Sequence, residues 1–243
     1  MKEAEANDGR RTMGGDRGAF LLTVITKPEI FPGEADYLEG LLEAGLTKLH
    51  LRKPGAGEKE KIALLERLAA RWAGQLVWHG ERKLALSYGI PQVHGSVGLT
   101  GGKGKSGGGM PVETEDRAST ERGGLTERSG GLITGSGGLL AVSTSVHSWE
   151  EMKALPAGLA YAFISPLFDS ISKPGYGGNR AVLEPPGGDY PCLPVGLGGI
   201  GADTIGEMMR RGWKGAAVLG WIWEEPREAV RRYERLKKII DGQ

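Results

Sequence analysis

Residues 192–211 read CLPVGLGGIGADTIGEMMRR. Cys192–Gly196 is a short apolar run of the kind that forms a buried strand. The segment LGGIGADT, 197–204, follows with glycines at a strand end and just before a helical pattern. That pattern, Asp203–Arg211, carries Ile205, Met208 and Met209 on one face. Strand, glycine turn and helix within twenty residues make one β/α unit. The fold depends on how often this unit recurs.

It recurs along most of the chain. Further strand candidates are Phe20–Thr26, Thr47–Leu51, Gln75–Trp78, Gln92–His94, Leu139–Ser143, Ala160–Ile164 and Ala216–Leu219. Helical patterns separate most of them. Glu34–Ala44 sets Tyr37, Leu38, Leu41 and Leu42 on one face, and Glu58–Trp72 does so with Ile62, Leu65 and Leu68. Ser148–Leu155 is short, with Ser148 as N-cap and two glutamates in its first turn. Pro226–Ile240 stripes Val230, Tyr233, Leu236 and Ile240, and Pro226 suits the first helical turn. Eight strands alternating with helices predict an α/β fold, a single (β/α)8 TIM barrel over 19–243. An open doubly wound sheet is the alternative, because strand count alone does not prove closure.

Two segments stand apart. Residues 1–18 lack helical or strand periodicity and read as a disordered tail. The chain holds 42 glycines, and many fall in residues 98–138, a Gly-, Ser- and Thr-rich run after the fourth strand. Such a run buries too little apolar area to offset its ordering entropy, which predicts a flexible insertion. A phosphate cradle is the sharper reading, but no GxxxxGK[ST] spacing follows a strand there.

Lys and Arg number 31 against 30 Asp and Glu, a net charge of +1. That balance offers no electrostatic case for nucleic acid or an anionic membrane as partner. Cys192 is the only cysteine, so a disulfide framework or a cysteine metal site within the chain is excluded. The N-terminus lacks the apolar core of a signal peptide, and no run reaches the length of a membrane span. A cytoplasmic protein acting on a small molecule is expected. Nothing in the pattern speaks to oligomeric state.

In a barrel, polar residues just after each strand converge on one mouth. There the chain offers Arg52 and Lys53, then His79 and Gly80, then His94, then Ser143 to His147. Ser170, Ser172 and Lys173 come next, then Gly198 and Gly199, and finally Gly220. Glycines at the last two strand ends let bare amides approach a phosphate. Arg52 and Lys53 suit a diphosphate or carboxylate, with Arg giving a fork and Lys a point charge. Adjacent strand residues face opposite ways, so one of the pair reaches the mouth, and Arg52 is favoured. Two hydroxyls followed by Lys173 make a polar loop over the mouth, although such composition is ordinary in loops. His147 can give and take a proton near neutral pH, or simply cap a helix. His50 and His94 lie within strand-like runs and read as structural. No pair of histidines has metal-ligand spacing, and no carboxylate joins them, so no metal is assigned. Tyr176, Trp78, Trp221 and Trp223 are weighed as ring-pocket aromatics against ordinary packing and stay outside the catalytic set.

Taken in order, LHLRKP (49–54), VSTSVHSWEE (142–151), ISPLFDSISKPG (164–175), PVGLGGI (194–200) and GAAVLG (215–220) resemble the thiamine phosphate synthase and TenI superfamily. The resemblance runs from Phe20 to Ile240 without the insertion. It implies a (β/α)8 barrel of thiamine biosynthesis that binds a thiazole phosphate. The synthase branch joins hydroxymethylpyrimidine diphosphate to that thiazole phosphate with Mg²⁺. The TenI-like tautomerase branch isomerises a thiazole phosphate carboxylate without metal.

By the same resemblance, Arg52 falls on an arginine that contacts the pyrimidine diphosphate, in a pattern usually Gln-Leu-Arg-x-Lys. His50 stands for the Gln and Pro54 for the Lys, with a cation shifted to Lys53. Ser170 and Ser172 match a hydroxyl pair, Lys173 the lysine after it, and Gly198 and Gly199 the thiazole-phosphate glycines. Gly220 stands where the family often has Ser.

The synthases carry Asn-Asp at His79 and Gly80, and that Asp helps hold Mg²⁺. A second metal Asp follows the fourth strand, where this chain reads GSVGLTGGKG (95–104). Mg²⁺ on a diphosphate usually takes one or two carboxylates, and both are missing. Gly80 and the SVHS segment resemble the tautomerase branch, with His147 as its proton-transfer residue. The expectation is a transferase/isomerase-family enzyme, favoured as a metal-independent tautomerase with no cofactor. Synthase activity with Mg²⁺ is the alternative, with insertion carboxylates such as Glu113, Glu115 or Asp116 as replacement ligands. Simple binding of the thiazole phosphate is the third reading.

Overall fold

Eight parallel strands close on themselves in chain order. They are β1 (Leu21–Ile25), β2 (Leu49–Leu51), β3 (Leu76–Trp78), β4 (Gln92–His94), β5 (Leu140–Val146), β6 (Tyr161–Ile164), β7 (Leu193–Leu197) and β8 (Gly215–Val218). The computed structural model describes residues 19–95, 140–169 and 177–242. Closure is explicit at β1. Val24 pairs with Leu49 on one side and with Val218 on the other. The open-sheet alternative is thereby excluded. The expected tail at 1–18 and the bulk of the expected insertion, 98–138, lie outside the described residues.

The helices are α1 (Glu34–Glu43), α2 (Glu58–Trp72), α3 (Arg82–Ser87), α4 (Trp149–Lys153), α5 (Ile205–Arg210) and α6 (Ala229–Asp241). α1, α2, α5 and α6 turn toward the barrel the side that their sequence patterns mark as apolar. Leu38 and Leu41 of α1, Leu65 and Leu68 of α2, and Leu236 of α6 are fully buried. Burying such a side chain contributes about 1.5–3 kcal/mol each. Ser148 caps α4 as expected, its Oγ accepting from the Glu151 amide at 3.1 Å. Pro226–Glu228 forms a 3-10 turn ahead of α6 rather than its first turn.

Strand alternation divides the apolar residues into two cores. Ile25, Tyr161, Phe163, Val195 and Ala217 fill the barrel interior. Their neighbours in sequence, Val24, Ala162, Ile164, Ala216 and Val218, face the helices. This parity decides which strand-end residue reaches the mouth. No helix among the described residues is long and apolar enough to cross a membrane.

β5 extends to Val146, three residues past the Ser143 expected from apolar content. Its polar residues Ser143 and Ser145 pair in register with Tyr161 and Phe163 of β6. A strand that lines a mouth needs backbone partners, not apolar side chains, so its polar end is invisible to a hydrophobicity pattern.

Candidate active site

β2 sets the rule at the mouth. His50 is an interior position, Leu51 faces the helices, and the chain then presents Arg52 and Lys53. Arg52 is exposed at the mouth, and its backbone is held by Thr26, whose Oγ1 accepts from Arg52 N at 2.9 Å and donates to Arg52 O at 3.1 Å. Lys53 takes the opposite parity and is buried at 1% exposure. Its Nζ donates to Glu34 Oε1 of α1 at 2.5 Å and to the carbonyls of Lys27 and Glu29, each at 2.9 Å. The expectation that Lys53 binds substrate is therefore corrected. Its charge is consumed in tying α1 and the loop after β1 to β2. Burial raises the Glu34 pKa and lowers that of Lys53, while each partner opposes the shift in the other.

Three imidazoles meet beside Arg52. His50 Nδ1 lies 2.8 Å from His79 Nε2, and His50 Nε2 lies 2.6 Å from the Tyr161 hydroxyl. The His79 and His94 rings stack with centroids 4.2 Å apart. His94 Nδ1 lies 2.8 Å from Ser143 Oγ, and its Nε2 lies 3.1 Å from Ser145 Oγ. His50 is fully buried, whereas His79 and His94 are half-buried. Burial pushes the His50 and His79 pKa values well below the ordinary one, with neighbouring cations and imidazoles adding to the effect. Burial and then Arg52 bring His94 down to about 4. All three rings are neutral at pH 7. Burial also raises the Tyr161 pKa, so its phenol stays protonated.

The sequence sets His79 and His94 at strand ends by the mouth, but within their strand-like runs His50 and His94 read as structural. They come from β2 and β4, on either side of β3, and close strand pairing draws them together. The signal that finds them is parity: each occupies an interior position in the last two residues of its strand.

At residue 80 a Cβ would lie 2.5 Å from Trp78 Nε1 and 2.8 Å from Cε2. The Trp78 indole, 2% exposed and with no partner for its Nε1, covers the place a side chain would take. The space beside Gly80 is thus filled by a neighbouring side chain and is not an open gap.

His147 follows β5 and is exposed. Its Nδ1 lies 3.1 Å from the Ser165 carbonyl, which can only accept, so Nδ1 carries the hydrogen. Nε2 then bears the lone pair. The His147 amide donates to Glu151 Oε2 at 2.8 Å, anchoring the residue to α4.

Gly198 and Gly199 adopt φ of 106° and 62°. A Cβ on Gly199 would lie 2.3 Å from the Asp169 carbonyl oxygen, so the chain after β6 lies directly on this turn. A Cβ on Gly201 would lie 2.7 Å from Trp221 Cγ, which joins this turn to the one after β8. Gly220 opens a 3-10 turn there in ordinary right-handed geometry. Ser170, Ser172, Lys173 and Tyr176 lie outside the described residues.

No protein-family model and no curated protein matches this chain. Solved structures do. Thiamine phosphate pyrophosphorylase from Bacteroides thetaiotaomicron is 22% identical with a TM-score of 0.60, covering 92% of this chain and 98% of its own. Thiamine phosphate pyrophosphorylase from Pyrococcus furiosus is 19% identical with a TM-score of 0.59, covering 93% and 98%. This chain shares their fold. The tryptophan synthase alpha chain of Legionella pneumophila is also similar, at 10% identity and a TM-score of 0.53 over 92% of each chain. The barrel architecture therefore spans different activities, and the chemistry of any one of them resides in the residues of the mouth.

Proposed function

We propose that this chain is a thiamine-biosynthesis enzyme that isomerises a thiazole phosphate carboxylate without Mg²⁺, as TenI-like tautomerases do. The observation that carries the reading is the closed position at residue 80. Trp78 occupies the space in which a synthase-type aspartate would stand, and a hard dication on a diphosphate wants such carboxylates. The likeness of fold to two thiamine phosphate pyrophosphorylases supports the wider assignment to thiamine chemistry.

The chemistry asked of the site is a proton shift. His147 Nε2 takes a proton from one atom of the thiazole, and the imidazolium stays oriented because Nδ1–H remains on the Ser165 carbonyl. The same nitrogen returns the proton to a second ring atom, so no net proton is consumed. Arg52 is the exposed cation available to the carboxylate or phosphate, and Gly198 and Gly199 form the turn proposed to hold the phosphate. Ser170, Ser172 and Lys173 are proposed to close over the same anion.

The test is a paired assay. With EDTA present, the purified chain is expected to convert the thiazole phosphate carboxylate isomer. With hydroxymethylpyrimidine diphosphate, thiazole phosphate and Mg²⁺, it is expected to form no thiamine phosphate. Product in the second assay that EDTA abolishes would overturn the reading in favour of a synthase. His147→Ala is expected to lower kcat about 10²–10⁴-fold with KM nearly unchanged. Ligand affinity without any turnover in the parent chain would leave a binding protein.

A further inference from the structure

We propose that His50, His79 and His94 form a binding site for one divalent transition-metal ion of the zinc class at the barrel mouth. The chain has four histidines, and three of them converge here from adjacent strands. One nitrogen from each lies within 4.8 Å of the others. A tetrahedral ion bound to imidazoles at about 2.0–2.1 Å sets its ligand nitrogens roughly 3.3 Å apart. The observed spacings, from 2.8 Å for the His50–His79 pair up to the 4.8 Å limit of the set, bracket that value, and ligation requires the His94 ring to turn out of its stack on His79. Imidazole donors select zinc, cobalt, nickel or copper over magnesium.

The surroundings orient the ligands as a metal site requires. With His50 Nε2–H donating to the Tyr161 hydroxyl, the lone pair of His50 sits on Nδ1 and faces His79. His94 has a serine hydroxyl on each nitrogen, so either one can ligate while the other keeps its partner. Such outer partners fix tautomer and ring direction in metal sites. Neutral rings also spare the ion from competing with protons at pH 7. With His50 in that tautomer, the ion-free hydrogen bond runs from His79 Nε2–H to His50 Nδ1. Ion binding moves that proton to Nδ1 of His79, and nothing is oxidised or released. His79 and His94 are only half-buried, which leaves a fourth coordination position toward the mouth. Arg52 lies near enough to depress the pKa of both His79 and His94. A dication beside it favours an anionic fourth ligand, a carboxylate or phosphate oxygen. The site rests on the three rings and not on the proposed proton shift.

The full chain, stripped with EDTA and dialysed, is titrated at pH 7.5 with Zn²⁺ against a chromophoric chelator, and with Co²⁺ while recording visible absorption. One ion per chain and the intense bands of tetrahedral Co²⁺ are expected. His79→Asn and His94→Asn are each expected to weaken Zn²⁺ by about 100-fold or more, since even second-shell changes cost 10–100-fold. His147→Ala is expected to leave the affinity unchanged. Zn²⁺ should also raise the Tm of the parent chain and not that of His79→Asn. Absence of one-to-one binding in the parent chain overturns the proposal, even should a variant fail to fold. So does equal affinity in folded His79→Asn or His94→Asn. Isomerisation in EDTA and Zn²⁺ titration are separate readouts, so failure of one leaves the other standing.

Discussion

Trp78 lies across the place that a side chain at residue 80 would take, so Gly80→Asp has to displace a buried indole. Overpacking of this kind costs about 1–3 kcal/mol. The variant is expected to unfold at lower urea with no gain of Mg²⁺ binding by calorimetry. A stable Gly80→Asp that binds Mg²⁺ would count against the proposed function. Lys53 is decided by parity instead. Its ammonium satisfies Glu34 Oε1 and two carbonyls, while Glu34 Oε2 finds no partner. Lys53→Ala leaves the Glu34 carboxylate buried without its cation, at a cost of about 3–5 kcal/mol. Denaturant unfolding measures it, and a change under about 1 kcal/mol would refute the structural role given to Lys53. The sequence showed two neighbouring cations at a strand end and could not show that a glutamate of α1 claims one of them. His79 was legible as a mouth residue because it directly follows an apolar strand. That His50 and His94 join it in one cluster was not legible, because an imidazole inside a strand looks the same whether it meets a leucine or another imidazole.

The β7–α5 turn is where an element's own geometry carries the candidate phosphate site. Gly199 combines a left-handed φ of 62° with an approach to the Asp169 carbonyl that leaves no room for a methyl group. Gly199→Ala is expected to push the chain after β6 away from the turn, with a KM for the phosphorylated substrate at least several-fold higher and stability lower by about 1–3 kcal/mol. An unchanged KM would remove this turn from the site. The turn was readable because glycines between an apolar run and a helical stripe mark the point where the chain changes direction. The helices were readable for a related reason. A buried face repeats every three to four residues, and α2 spans the Glu58–Trp72 range that its pattern predicts. β5 was read short because Thr144 and Ser145 interrupt its apolar run before Val146 returns to the core.

Across the whole molecule, the neutral histidine cluster couples stability to pH. Free histidine titrates near 6.5. In the fold, His50 and His79 are held well below that value and His94 at about 4. Between those limits the unfolded chain binds protons that the folded chain refuses. Stability is therefore full above pH 6.5 and falls as pH drops toward 4, by about 1.4 kcal/mol per pH unit for each such histidine. Urea midpoints in EDTA at a series of pH values check this, and a flat profile from 6.5 to 5 would contradict it. The sequence by itself determined the number of β/α units, the glycine turns and the strand-end residues from which the mouth is built, because these depend on local periodicity and backbone freedom. Only the tertiary structure decided that the sheet closes, that Lys53 turns away from the mouth, that Trp78 fills the space at Gly80, and that three histidines from three strands meet. Those outcomes depend on which strands are neighbours and which way each residue points. Neither is written in the spacing along one chain.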